Sequence, residues 1–171
     1  EREIAKHGKE DGRWITKGHA FVSGVLEPLI TGERLRVIMT YRDLRDVFVS
    51  TMHFRRRTFD RTIKSFRAET VNRERGWLTG VPVEYIHRVR YEDLIKCPSC
   101  EVLDIALLIE AGCTVELADT IAARHTVREV QKYTSKLGNW NAHTRYAPRH
   151  IRTGGSGSWR KDLTNKQVKL V

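Results

Sequence analysis

The sequence predicts an α/β fold, a parallel sheet flanked by helices, and three observations carry that prediction. Leu35–Tyr41 (LRVIMTY) is a β-rich apolar run and the best candidate for a buried strand. Val81–Tyr91 (VPVEYIHRVRY) alternates apolar and polar residues, as a second strand does. Helical spacing follows each of them, over Asp43–Phe54 and over Cys100–Ala111. Strands that alternate with helices build a parallel sheet, because each crossover must lie on a face of the sheet.

The elements follow in chain order. Glu1–Arg13 is polar and without apolar period, a frayed helix end or linker, and Trp14–Thr16 is a short strand candidate. Val22–Leu29 carries Gly24 and Pro28 and reads as a loop or a broken helix. In Asp43–Phe54, residues Val47, Phe48, Ser50, Thr51 and Phe54 sit near helical spacing, which makes a strand–turn–helix unit. A basic cluster, Arg55–Arg57, precedes a charged amphipathic helix over Thr58–Trp77. Pro82 sits at the start of the second strand, where a missing N–H is tolerated. Cys100–Ala111 is an amphipathic helix ended by Gly112, and Val115–Arg124 and Thr126–Lys136 predict two more. Gly138–His150 and the Gly/Ser-rich Arg152–Trp159 read as loops, and Thr164 is placed to cap a last helix within Asp162–Val171.

The 171 residues suit one domain, spanning 1–171, and 40% apolar with 30% charged residues is a globular composition. A net charge of +10 implies a polyanionic partner or a phosphorylated ligand. No run of about 18 apolar residues predicts a membrane span, and no signal peptide is visible. Three cysteines, Cys97, Cys100 and Cys113, are too few and too odd for a disulfide framework and fit a reducing cytoplasm. The Cys97-Pro98-Ser99-Cys100 spacing has no second ligand pair for zinc, and its plain reading is two thiols in a loop entering a helix.

Three places could carry chemistry. Arg42 stands where the first strand gives way to a helix, with Ser50 eight residues on, just over two helical turns. Ligands of open α/β sheets bind outside such strand ends, and a helix N-terminus plus an Arg fork suits a phosphate. The same spacing equally fits Arg42 paired with Asp46 and Ser50 on a solvated face. Arg152-Thr153-Gly154-Gly155-Ser156-Gly157-Ser158-Trp159 has three glycines that let the backbone cradle an anion, or that simply make a surface loop. It is not a Walker A loop, since no Gly-Lys-Ser/Thr follows. Lys17-Gly18-His19 follows the short strand, with a base of suitable pKa beside a cation. Two rival readings are a basic nucleic-acid-binding module, on the charge, Arg55–Arg57 and four Trp, and a nucleotide kinase of related fold.

Together these pieces resemble the sulfotransferase family that uses 3′-phosphoadenosine 5′-phosphosulfate (PAPS). Tyr41–Ser50 is similar to the family's Tyr-Arg-[Asp/Asn]-Pro-[Arg/Lys]-Asp-Val-x-Val-Ser, with Leu44 in place of Pro. Lys17-Gly18-His19 resembles its Lys-Thr-His, and Tyr91-Glu92-Asp93-Leu94 matches its Tyr-Glu-Asp-[Leu/Met] strand end. Arg152–Arg160 resembles its Arg-Lys-Gly-x-x-Gly-Asp-Trp-Lys, with Thr153 for Lys, Ser158 for Asp and Arg160 for Lys. The elements occur in the family's order across nearly the whole chain, and Leu163-Thr164-x-x-Gln167 fits as well.

The resemblance implies a three-layer, P-loop-NTPase-like parallel sheet and transfer of a sulfuryl group to an acceptor hydroxyl or amine. Arg42 and Ser50 would hold the 3′-phosphate, with Arg152, Thr153 and Gly154 closing over it. Tyr91 and Thr126 would contact the adenine, His19 would be the general base, and Lys17 would steady the sulfuryl oxygens. PAPS is the expected co-substrate and adenosine 3′,5′-bisphosphate (PAP) the product, with no metal. The acceptor would be a small molecule or carbohydrate, with no nucleic acid and no membrane as partner. The family's 5′-phosphosulfate loop has no counterpart in Glu1–Thr16, so the expectation is a chain that lacks its start, exposes a sheet edge and self-associates, or else a diverged, inactive relative.

Overall fold

The computed structural model describes residues 24–71, 76–77, 79–139, 148, 151 and 153–171. The expectations for Glu1–Arg13 and Trp14–Thr16, the residues Lys17, His19 and Arg152, and most of Gly138–His150 lie outside them.

Within the described residues two short strands, β1 (Val37–Tyr41) and β2 (Ile86–Arg90), pair in parallel with Val37 opposite Ile86 and Tyr41 opposite Arg90. Helix α1 (Glu27–Thr31) leads into β1, its first turn relieved of one N–H by Pro28. The crossover from β1 to β2 is made by α2 (Leu44–Phe54) and α3 (Phe59–Phe66). The amphipathic helix expected over Thr58–Trp77 begins as predicted and widens into a π-helical turn over Arg67–Val71. The second strand is shorter than its alternation predicts. Val83–Tyr85 is wound into a 3₁₀ turn behind Pro82, so pairing begins only at Ile86.

Beyond β2 come α4 (Tyr91–Lys96), α5 (Pro98–Leu108), α6 (Val115–Arg124) and α7 (Val127–Ser135), and α5 packs on α6. The last two match their predicted spans to within a residue, because Thr114 and Thr126 cap them with their hydroxyls. Two short turns close the chain, α8 (Trp159–Asp162) and α9 (Asn165–Val168), the latter with a full capping box between Thr164 and Gln167. No helix among the described residues is long and apolar enough to cross a membrane.

One feature corrects the sequence reading. Cys97 and Cys100 are joined by a disulfide, with 5.4 Å between their Cα atoms. Cys97 is the non-helical N-cap residue and Pro98 already starts α5, so both cysteines share one turn.

Two apolar clusters flank the sheet. Ile30, Val37, Val81 and Ile86 form one beneath the strands. Phe48, Val49, Phe66 and Leu163 form the other, between α2, α3 and the C-terminal segment. Phe48 meets the Phe66 ring edge-on at 5.2 Å and the Phe59 ring at 5.1 Å. Leu163 and Trp159 both pack in this second cluster, so the chain's end is pinned to the helix that follows β1.

Phe48 is fully buried, whereas Leu107 on α5 is 79% exposed. Phe48→Ala should therefore cost about 3–5 kcal/mol of stability and Leu107→Ala less than about 0.5 kcal/mol. Urea unfolding of the two variants beside the parent checks this; equal effects would remove the second cluster from the core.

Candidate functional site

The parallel register decides what meets at the sheet's edge. Tyr41 and Arg90 are opposite each other, so the next residues, Arg42 and Tyr91, leave adjacent strands on the same side. There α2 starts behind Asp43, whose carboxylate accepts from the Arg45 N–H at 2.9 Å, and α4 starts at Tyr91 itself. The Arg42 guanidinium lies over the Tyr91 ring, 4.4 Å from its centroid, an attractive cation–π contact.

The C-terminal Gly/Ser loop closes onto this pair. Tyr91 donates its hydroxyl hydrogen to the Gly154 carbonyl at 2.5 Å, and Arg42 Nη2 donates to the Gly155 carbonyl. Gly154 has φ +66°, and a Cβ there would run into the Val127 isopropyl group at the start of α7. Only glycine meets both demands.

Behind the loop lies Asp46, whose side chain is fully buried. Its carboxylate accepts the Gly157 N–H at 2.6 Å, the Trp159 N–H at 3.1 Å, and the hydroxyls of Ser158 at 3.0 Å and Ser156 at 3.4 Å. Arg42 adds an ion pair at 3.5 Å. Ser156 also donates to Glu92 at 2.8 Å, which ties the loop to α4 as well as to α2.

In front of the loop is a cleft of about 500 Å³. Four arginines line it, Arg42, Arg45, Arg90 and Arg160, against the carboxylates of Asp43 and Glu92. Arg45 is fixed by a bidentate bridge to Asp43, at 2.9 and 2.6 Å, and stacks on the Trp159 indole at 4.0 Å. Arg160 stacks on the same indole at 4.6 Å. The Arg42 Nε is buried and has no hydrogen-bond partner among the described residues.

The site's charges shift its acids. The Arg45 side chain holds the Asp43 carboxyl below the usual range, against some desolvation. Burial pushes Asp46 up, but the Gly157 and Trp159 N–H groups, the Ser158 hydroxyl and Arg42 together outweigh it and leave the carboxyl lowered. Glu92 follows the same logic, raised by burial and lowered further by Ser156, its own backbone N–H and Arg90. Tyr91 is raised, chiefly by burial.

The structure thus brings together Arg42, Tyr91 and Gly154 of the expected residues. Thr153 is exposed at the loop's outer end. Ser50 lies two turns along α2 and is exposed, and Arg42 does pair with Asp46. Thr126 is spent on capping α7, accepting from the Glu129 N–H at 3.3 Å, but its neighbour Val127 abuts Gly154. Lys17, His19 and Arg152 lie outside the described residues. Sequence reasoning missed the organising role of Asp46 and the Glu92–Ser156 link. A signal existed: Asp46 is a lone carboxylate beside the buried Phe48 and Val49 on α2, four residues after Arg42.

Comparisons with known proteins agree with this architecture. The profile of the family described as sulfotransferase domain matches residues 2–171. Among solved structures, the chain is similar to mouse sulfotransferase SULT7A1, crystallised in complex with PAP. The TM-score is 0.60 at 16% sequence identity, covering 82% of this chain and 56% of that one. The chain thus spans little more than half the length of that structure. No curated protein sequence matches the chain.

Asp46 gives the site a pH signature. Its pKa in the folded chain lies below the ordinary 3.8. Its stabilising contribution is complete above the unfolded value and is lost as pH falls through the lower, folded one. Urea unfolding between about pH 7 and 3 should show an acid loss of stability that Asp46→Asn makes shallower. Asp46→Ala, which strands two N–H groups and Arg42, should cost about 3–5 kcal/mol at neutral pH. A parent-like acid profile in Asp46→Asn would show that the carboxylate is not the loop's anchor.

Proposed function

The chain belongs to the sulfotransferase domain family, and from that premise we propose that it moves a sulfuryl group from PAPS to an acceptor hydroxyl or amine of a small molecule or carbohydrate. The observation that carries the nucleotide half of this reading is the divided Arg42 fork. Its Nη2 is held by Asp46 and the Gly155 carbonyl, while its buried Nε has no partner among the described residues. A buried N–H without an acceptor is costly, and a phosphate oxygen would satisfy it with a charge-assisted bond. Gly155 adds backbone with open space around its Cα, and the four arginines give the cleft a net positive lining. The similar mouse enzyme was crystallised with PAP, which supports the same nucleotide class here.

On this reading Arg42 and Ser50 hold the 3′-phosphate, and Arg152, Thr153 and Gly154 close over it. Tyr91, whose ring also carries Arg42, and Thr126 border the adenine. His19 removes the acceptor proton, and Lys17 offsets charge on the transferring oxygens. Transfer would be in line, and its acceleration would come from positioning and charge stabilisation, as in phosphoryl transfer. The site would sit on a three-layer sheet of the P-loop type.

Calorimetric titration with PAP and with AMP tests the reading. One added charge-assisted contact contributes about 1.5–3 kcal/mol, so PAP should bind at least about tenfold tighter. Arg42→Ala should erase most of that preference, while Arg56→Ala on the exposed turn after α2 should leave it. Equal affinities in the parent would sink the proposal. Separately, His19→Ala should slow transfer of radiolabelled sulfuryl groups from PAPS by about 10²-fold or more and leave PAP affinity intact.

A further inference from the structure

The CxxC turn between α4 and α5 lies outside everything argued so far, and its inference does not rest on the nucleotide reading. We propose that Cys97 and Cys100 form a redox-active pair, a thiol–disulfide exchange site whose co-reactant is a thiol reductant.

The disulfide adds little to the fold. The Cys97 N–H donates to the Asp93 carbonyl at 2.9 Å, closing α4, and the Cys97 carbonyl accepts the Glu101 N–H at 3.3 Å, opening α5. These backbone bonds hold the turn whether or not the sulfurs are joined. The crosslink spans a sequence separation of three. Disulfides that act as staples gain with the length of the loop they close, and this loop is near the minimum. Neither oxidation state therefore demands a different fold, which is what a reversible couple needs.

Access and leaving ability favour exchange at this pair. Cys100 is exposed and Cys97 is half-buried, so an incoming thiolate meets Cys100 Sγ first. Cys97 then departs as thiolate from the N-cap position of an 11-residue helix, where no side-chain bond now caps the free N–H groups. Those N–H groups and the helix dipole stabilise a thiolate, and a thiol of lowered pKa leaves faster. Lys96 beside it adds positive charge. Glu101 in the first turn opposes this, but its carboxylate faces the His87 imidazole at 3.7 Å.

The chemistry balances with a thiol reductant. One reductant thiolate attacks Cys100 Sγ; the Cys97–Cys100 bond breaks and a mixed disulfide forms. A second reductant thiol attacks the reductant sulfur of that mixed disulfide and releases the Cys100 thiolate. Two electrons and two protons pass to the protein, and the reductant leaves as its disulfide. Cys113 is a separate free cysteine and takes no part.

The test equilibrates the chain in a graded series of reduced and oxidised glutathione, quenches with acid, and tags thiols with a maleimide for intact mass. Expected is a single two-electron transition inside the series, reversible from both ends. Cys97 and Cys100 should gain tags together, with Cys113 tagged throughout and the far-ultraviolet circular dichroism unchanged. Reduction by dithiothreitol should run at least about tenfold faster than that of oxidised glutathione itself. Cys97→Ser should leave a single Cys100 thiol that forms a mixed disulfide with glutathione. A pair that stays oxidised at every ratio, or one whose reduction unfolds the chain, would overturn the proposal in favour of a structural bond. A pair that never closes in the most oxidising buffer would overturn it as well.

Discussion

The carboxylate of Asp46 is the constraint on which the rest of the site depends. A buried carboxylate is expensive unless its lone pairs are filled. Here the Gly/Ser loop fills them, with two backbone N–H groups and two hydroxyls, and Arg42 supplies the opposite charge. Each partner is thereby fixed in turn. The loop cannot drift without uncovering the carboxylate. The following residues, Trp159 and Leu163, are delivered into the apolar cluster around Phe48. One side chain on α2 thus decides where the last fifteen residues of the chain lie.

That anchoring works because the sheet is parallel. Both strands release their chains at one edge, so Arg42 and Tyr91 arrive side by side and the loop can bridge them. Four arginines around one cleft repel each other, and the structure manages the repulsion locally. Asp43 takes Arg45 in a bidentate bridge, Glu92 takes Arg90 at 3.1 Å, and the Trp159 indole offers its faces to Arg45 and Arg160. The balance stays positive toward the cleft, which is where an anion would enter.

Much of this was legible in the sequence because local signals and tertiary structure agreed. The apolar run before Tyr41, the helical spacing after it, the patterns over Val115–Arg124 and Thr126–Lys136, and the Thr164 cap each name an element that exists. The failures have physical causes. Thr58–Trp77 keeps an amphipathic pattern that gives no sign of the π turn at Arg67, since that pattern constrains the face and not the hydrogen-bond ladder. Tyr91–Lys96 is too short to show a helical period, so α4 hid inside a strand end. The Cys97–Cys100 link depends on the backbone at Cys97, which spacing alone does not fix. Asp46 stayed in the shadow of Arg42 because its donors are more than a hundred residues away, in a loop whose composition reads as plain surface.

The two readings of Arg42 that spacing left open turn out to be compatible. A guanidinium carries five N–H donors in a rigid plane, so holding one end aims the other, which the rotating ammonium of a lysine does not do. Pairing with Asp46 and the Gly155 carbonyl uses one end of the fork and sets its plane over Tyr91. That leaves the Nε side oriented, desolvated and without a partner among the described residues. For the proposed phosphate contact the structural pair would be preparation: it removes the rotational freedom that a free arginine would lose on binding. It also keeps the cation from collapsing onto a competing carboxylate in the cleft, because its nearest carboxylate lies behind it, already saturated by the loop.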